Sequence, residues 1–159
     1  MKIRLAEARD IEQLIKMRWD FTIEFDENKK EEAYDTFEKE CQTFLENALK
    51  DLNWFIWVAE ENNQVISHIY IKLIEKVPRP GRITYPFAYM TNVYTIPANR
   101  NKGVGSRLLS AVNDWTEENN YEFVIVWPSD DSINYYKKND YVPCKEPMEY
   151  FPLQKSRDT

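Results

Sequence analysis

Glycine is nearly missing from this chain, with three in 159 residues, at positions 81, 103 and 105. That scarcity excludes two phosphate-binding motifs. A dinucleotide-binding fingerprint starting at Gly103 needs a third glycine at position 108, which is Leu108, and a Walker loop needs Gly-Lys followed by Ser or Thr, which is absent. Cysteine is as sparse. Cys41 and Cys144 stand far apart, with neither metal-ligand spacing nor a disulfide framework, and read as reduced thiols in a cytoplasmic protein. The single histidine, His68, falls in phase with Ile66 and Tyr70 inside a strand pattern and reads as structural rather than as a base. No apolar run approaches the ~20 residues of a membrane span, and the start is not basic-then-apolar as a signal peptide would be. No repeat, linker or low-complexity tract interrupts the chain, and its length fits one domain.

Basic charge is the other shortage. The net charge is −6, and between Asp20 and Asp51 eleven acids face four bases. Such a surface repels nucleic-acid phosphates and attracts cations such as amines. The same stretch also fits a pair of helices kept soluble by charge.

What the chain does hold is concentrated in Arg100-Asn101-Lys102-Gly103-Val104-Gly105-Ser106, which contains two of the three glycines. Before it, Ala88 to Thr95 is rich in aromatic and β-branched residues and stops at Pro97; after it, Val104, Leu108, Leu109, Val112 and Trp115 recur at the spacing of an apolar helix face. Strand, glycine turn and helix make an anion site: the first helix amides point out of the helix end, its dipole adds roughly half a positive charge, and glycines let a phosphate approach. A tight connection with incidental glycines and solvated bases fits as well.

In order, the pattern predicts a strand at Ile3–Leu5 and helices over about 8–25 and 30–49. A hairpin follows, with Trp54–Ala59 and Gln64–Lys76 flanking Glu61-Asn62-Asn63. Then come the strand before the glycine turn, the central helix, and an interior strand over Tyr121–Trp127. A short helix over Ser132–Lys138, capped from Pro128-Ser129-Asp130-Asp131, and late strand material at Val142 and Met148–Leu153 complete it. This is an α/β arrangement.

Three segments in this order resemble the GNAT superfamily of acetyl-CoA-dependent N-acetyltransferases. They are Val93-x-Thr95-x-Pro97, Arg100-x-x-Gly103-x-Gly105, and Ser132-Ile133-Asn134-Tyr135-Tyr136-Lys137-Lys138-Asn139-Asp140-Tyr141, similar to that family's Ala-x-x-Phe-Tyr-x-x-x-Gly-Phe block. Asn101 replaces a frequent glycine, and Asp140 stands where the family has glycine, so a different turn shape is expected there. The resemblance implies a single domain over 1–159 with a mixed, largely antiparallel sheet whose central strands splay, flanked by helices.

It also implies acetyl-CoA as co-substrate and no metal. The diphosphate would lie on the main chain of Asn101, Lys102, Gly103, Val104, Gly105 and Ser106 beside Arg100. The pantetheine arm would run along Val93, Tyr94 and Thr95, with Asn134 and Tyr136 completing the cofactor site. Direct attack by an amine would pass through a tetrahedral intermediate, with the N–H near Tyr94 steadying the oxyanion and Tyr136 protonating the leaving thiolate. On the acceptor side Glu24, Tyr89 and Trp127 are the candidates. A glutamate that some members use would fall near Tyr89, where there is none; Glu24, Asp26 or a water chain stay open as bases.

The expected acceptor is an amine-bearing small molecule, with no nucleic acid or membrane partner, and the late strand Met148–Leu153 could join a homodimer. A non-catalytic acyl-CoA-binding module, or an interaction domain using the acidic helices, stays open as an alternative.

Overall fold

The computed structural model describes residues 1–152. Five strands form one sheet whose spatial order follows the sequence: β1 (Lys2–Leu5), β2 (Trp54–Glu61), β3 (Gln64–Ile74), β4 (Phe87–Thr95) and β5 (Val124–Ile125). The first four pair antiparallel, and β5 runs parallel to β4. Parallel neighbours need a crossover, which α3 (Val104–Glu118) supplies. The long β2–β3 ladder is closed by Asn62 and Asn63 at φ 51° and 62°. Two consecutive left-handed residues are what a tight hairpin turn demands, and asparagine enters that region more readily than other residues with a side chain.

Helices cover both faces. Leu14, Ile15 and Met17 of α1 (Ile11–Phe25) and Leu45 and Ala48 of α2 (Tyr34–Ala48) pack with Ile56, Val58, Tyr70 and Tyr94. Strand alternation turns Phe55 and Trp57 to the opposite face, where their rings meet Trp115 of α3 at 4.7 and 5.6 Å. Leu108, Leu109 and Val112 of α3 are fully buried on that side. Each such side chain contributes about 1.5–3 kcal/mol of burial free energy.

A buried ion network fixes the start of the chain. Arg4 of β1 forks onto both Asp10 oxygens at 2.7 and 3.0 Å and also donates to Glu60 of β2. The Glu7 amide donates to Asp10 at 2.7 Å, so the turn before α1 is set from within the sheet.

Several boundaries differ from the sequence reading. The first helix opens as a 3-10 turn, Ala8–Asp10. The second starts at Tyr34 rather than residue 30, because the Asp26 side chain accepts from the Asn28 amide at 3.2 Å and holds Glu27–Glu31 in a separate 3-10 turn. The strand expected over Tyr121–Trp127 pairs only at Val124–Ile125 and lies at the sheet edge of the described residues rather than inside. Its first residue is held elsewhere: the Tyr121 amide bonds Thr116 O at 3.1 Å in the cap that ends α3.

The described chain divides into two compact units, residues 1–127 and a second from Pro128 onward. In the second, a 3-10 turn (Asp130–Ser132) leads into α4 (Ile133–Lys137). No strand forms among residues 142–152, where Pro143, Pro147 and Pro152 remove ladder donors and Met148 is 98% exposed. The late strand is therefore absent there, and Leu153 lies outside the described residues.

Candidate active site

The segment after β4 is shaped by two left-handed residues. A 3-10 turn, Pro97–Asn99, takes the Asn99 amide to Ile96 O at 2.9 Å and the Arg100 amide to Pro97 O at 3.2 Å. Asn101 then adopts φ 59° and Gly103 φ 76°. The helix ladder begins with Arg107 N–H to Gly103 O at 3.0 Å, so the main chain from Asn101 to Ser106 forms the mouth of α3. A Cβ placed on Gly103 would meet nothing within 4 Å. Packing therefore does not demand the glycine; its left-handed φ favours it.

Upstream, β4 carries a bulge that the sequence reading missed. Asn92 and Val93 together face one residue of β3, and Asn92 has φ 50°. The bulge is braced from two elements. His68 Nδ1–H donates to Asn92 O at 2.7 Å, and Arg18 Nη1 donates to Asn92 Oδ1 at 3.1 Å. His68 is fully buried between the rings of Tyr70 and Tyr94, at 5.1 and 5.8 Å, and burial pushes its pKa down to about 4. The neutral ring holds its hydrogen on Nδ1, and Nε2 has no hydrogen-bond partner among the described residues. A base needs access, and His68 has none. An asparagine inside a strand pattern was the available signal, since that residue is depleted in strands.

Past the bulge, Tyr94 turns towards α1, where its ring meets Phe21 at 5.0 Å. The Ser67 hydroxyl donates to Tyr94 O at 3.0 Å and lies 2.8 Å from Thr95 Oγ1, so the strand edge at 94–95 is pinned from β3. Val93 lies in the bulge itself.

Arg100 and Glu24, which the sequence reading put on opposite sides of the site, meet as a bidentate ion pair. Arg100 Nη2 donates to Glu24 Oε2 at 2.8 Å, Nη1 donates to Oε1, and Nε donates to Thr95 O at 2.9 Å. The guanidinium also sits 5.3 Å from the centre of the Tyr94 ring. Arg100 holds the Glu24 carboxyl below the usual carboxylate range, and Glu24 raises the Arg100 pKa in return. Nothing in the sequence spacing announces this pair, because 76 residues separate its members.

The β4–β5 ladder holds only at Ala88↔Val124 and Tyr89↔Ile125, while β4 runs on to Thr95. The two strands therefore part after Tyr89, leaving the β4 edge from Met90 to Thr95 with no ladder partner on that side among the described residues. At the parting, Tyr89 and Trp127 meet edge-on at 5.3 Å, and Phe87 stacks on Phe123 at 4.7 Å. Trp127 is 59% exposed, so this aromatic face is open to a ligand.

In the second unit, Tyr136 is 6% exposed and packs against Tyr135 and Tyr141 at 4.9 and 5.5 Å. Burial pushes its phenol up to about 12. Asn134 accepts the Lys138 amide at 3.0 Å through its carbonyl. The departure at Asp140 proves neutral in shape: it takes φ 68°, the Asp140 amide bonds Lys137 O at 3.3 Å and the Tyr141 amide bonds Tyr136 O at 3.1 Å, a full left-handed helix cap.

A strand with a bulge, a left-handed turn and a helix mouth thus lie beside a second strand that peels away. The family model described as "Acetyltransferase (GNAT) family" matches residues 11–141, and the chain belongs to that family. Its fold is similar to a predicted acetyltransferase of Clostridium acetobutylicum crystallised with acetyl-CoA, at 27% identity, covering 94% of this chain and 95% of that one, with a TM-score of 0.75. A possible acetyltransferase of Clostridium difficile 630 shares 19% identity over 96% and 97% of the two chains, with a TM-score of 0.76. An aminoglycoside acetyltransferase from an uncultured soil metagenomic sample, in complex with trehalose, shares 18% over 97% and 96%, with a TM-score of 0.69. No curated protein matches the chain. Among the described residues, no helix is long and apolar enough to cross a membrane.

Proposed function

We propose that this chain is a cytoplasmic N-acetyltransferase that transfers acetyl from acetyl-CoA directly to the amine of a small molecule, with residues 1–159 acting as one catalytic domain. The observation that carries the reading is the helix mouth at Asn101–Gly103, left-handed at both residues and open where a side chain would stand. Those features fit a diphosphate approaching main-chain amides at the positive end of α3.

The main chain of Asn101 to Ser106, with Lys102, holds the diphosphate. The β4 edge at Val93, Tyr94 and Thr95 offers main-chain groups to the amide-bearing arm in the manner of an added strand. When bound, acetyl-CoA supplies an activated acyl thioester. The main-chain N–H near Tyr94 steadies negative charge on the carbonyl oxygen, in a strand whose bulge is locked by His68 and Arg18. Tyr136 keeps its proton at neutral pH and delivers it to the departing sulfur, with Asn134 on the same helix assisting cofactor binding. Tyr89 and Trp127 receive the acceptor on their open faces. A small acceptor is in keeping with the aminoglycoside acetyltransferase among the structural neighbours. No carboxylate is assigned as base: Glu24 is held ionised by Arg100, and the amine reaches the site already neutral or loses its proton to water.

Calorimetric titration with CoA, followed by thiol release from acetyl-CoA across a panel of small amines, tests this. We expect CoA binding in the wild type, abolished by Gly103→Glu with circular dichroism unchanged. Binding that survives the substitution would remove the assignment of this loop.

A further inference from the structure

The motif arginine is engaged by the protein itself. Three sets of its donors are placed: Nε on Thr95 O at 2.9 Å, and both Nη atoms on the Glu24 carboxylate. The planar fork matches a carboxylate bidentately, the arrangement in which arginine gives up least freedom per hydrogen bond. Its flat face lies over Tyr94, whose hydroxyl also contributes to lowering the Glu24 pKa. Both partners are about two-thirds buried, with side chains 36% and 34% exposed. Solvent therefore screens the pair less than it would a surface pair.

Glu24 is the penultimate residue of α1, and Arg100 stands between the 3-10 turn after β4 and the left-handed Asn101. The pair thus joins the end of the helix over one face of the sheet to the entry of the phosphate loop. In between lies Tyr94, whose main chain borders the bulge. Lys102, also near the helix mouth, is exposed.

We propose that Arg100 is a positioning residue rather than a ligand of the diphosphate, and that Glu24 is its obligate partner, the pair setting the angle at which the loop 101–106 leaves β4. This rests on the reading of that loop as the diphosphate site. It gives Glu24 a role in cofactor binding and takes it out of the set of bases. A cation that touched the diphosphate would be needed for its charge. A strut depends on opposite charges at the two positions, and exchanging them keeps the pair while giving up the Nε bond to Thr95 O.

The test is CoA affinity by calorimetry on the full chain carrying Arg100→Glu, Glu24→Arg or both. Each single reversal buries a like-charge pair and weakens CoA binding by about tenfold or more, and the double reversal returns it to within about threefold of the wild type. A double variant as weak as Arg100→Glu alone would overturn the proposal and make Arg100 a direct ligand. Singles that leave affinity unchanged would overturn it too, by showing that the pair positions nothing.

If a reversal fails to fold, the neutral variants decide. A strut predicts that Glu24→Gln and Arg100→Gln weaken CoA binding alike, whereas a direct ligand predicts loss for Arg100→Gln only. A wild type that does not bind CoA would end the phosphate-loop reading and this inference together. A wild type that binds, without rescue in the swapped pair, ends only the inference.

Discussion

Tyr136 shows what burial does to a phenol. Removing a phenol from water penalises the phenolate, which is why its pKa rises to about 12. A phenol near 12 is a weaker acid than a thiol at ~8.5, so burial does not ease proton transfer to sulfur; in the proposed role it only keeps the proton in place at neutral pH. Tyr136→Phe keeps the ring and its contacts with Tyr135 and Tyr141. The expected outcome is a drop in kcat on the order of a hundredfold with the acetyl-CoA KM changed by less than about threefold. Because the phenol titrates near 12, wild-type kcat is not expected to fall between pH 8 and 10 through loss of this proton. A steady-state pH profile of both forms checks the two statements, and an unchanged kcat in the variant would remove Tyr136 as the acid.

At the scale of the element, the chain replaces glycine by asparagine. Asn62, Asn63, Asn92, Asn101 and Asn120 all take left-handed φ, as does Asp140. Each closes or bends an element: the β2–β3 turn, the β4 bulge, the turn into α3 and the caps of α3 and α4. Asn92 does more than bend, since its side chain also accepts from Arg18. Replacing it therefore separates two contributions. Asn92→Gly loses only the side-chain bond and is expected to cost about 1 kcal/mol, while Asn92→Ala adds left-handed strain and is expected to cost about 2 kcal/mol. Urea unfolding of the two variants measures the difference; equal losses would show that the backbone there carries no strain.

This explains which parts could be read in advance. Element order was legible because apolar periodicity and Pro97 and Pro128 punctuate it, and the strand-turn-helix junction because Gly103 and Gly105 are conspicuous in a chain so poor in glycine. The bulge was hidden because asparagine in a strand has no fixed meaning. The Arg100–Glu24 pair was hidden because helix α1 must first be laid over β4. The short β5 was overread because Tyr121 to Trp127 is apolar, whereas the cap of α3 claims Tyr121 first.

For the whole molecule, the same buried groups set how stability responds to acid. His68 has a folded pKa of about 4 and an unfolded value of about 6.5, so the unfolded chain binds the extra proton between those limits. Its contribution is fully present above pH 6.5 and drains away as pH falls towards 4, a loss of about 3 kcal/mol. The carboxylates act lower. Burial alone would raise the Asp10 pKa, but the Arg4 fork and the Glu7 amide outweigh it. Arg4 likewise lowers Glu60, and Arg100 lowers Glu24. Each of these depressed groups stabilises the fold above its unfolded pKa and ceases to do so as pH falls through its folded one.

Two acid limbs follow, one from the histidine between pH 6.5 and 4 and one from the carboxylates below it. His68→Asn keeps a donor near Asn92 O while removing the titration. Urea unfolding at pH 7 and pH 4.5 is expected to show the wild type losing stability and the variant losing about 2 kcal/mol less over that interval, even if the variant is weaker at pH 7. Parallel losses in the two proteins would mean that the imidazole is already free to protonate in the folded state, and that the bulge in β4 is not locked from β3.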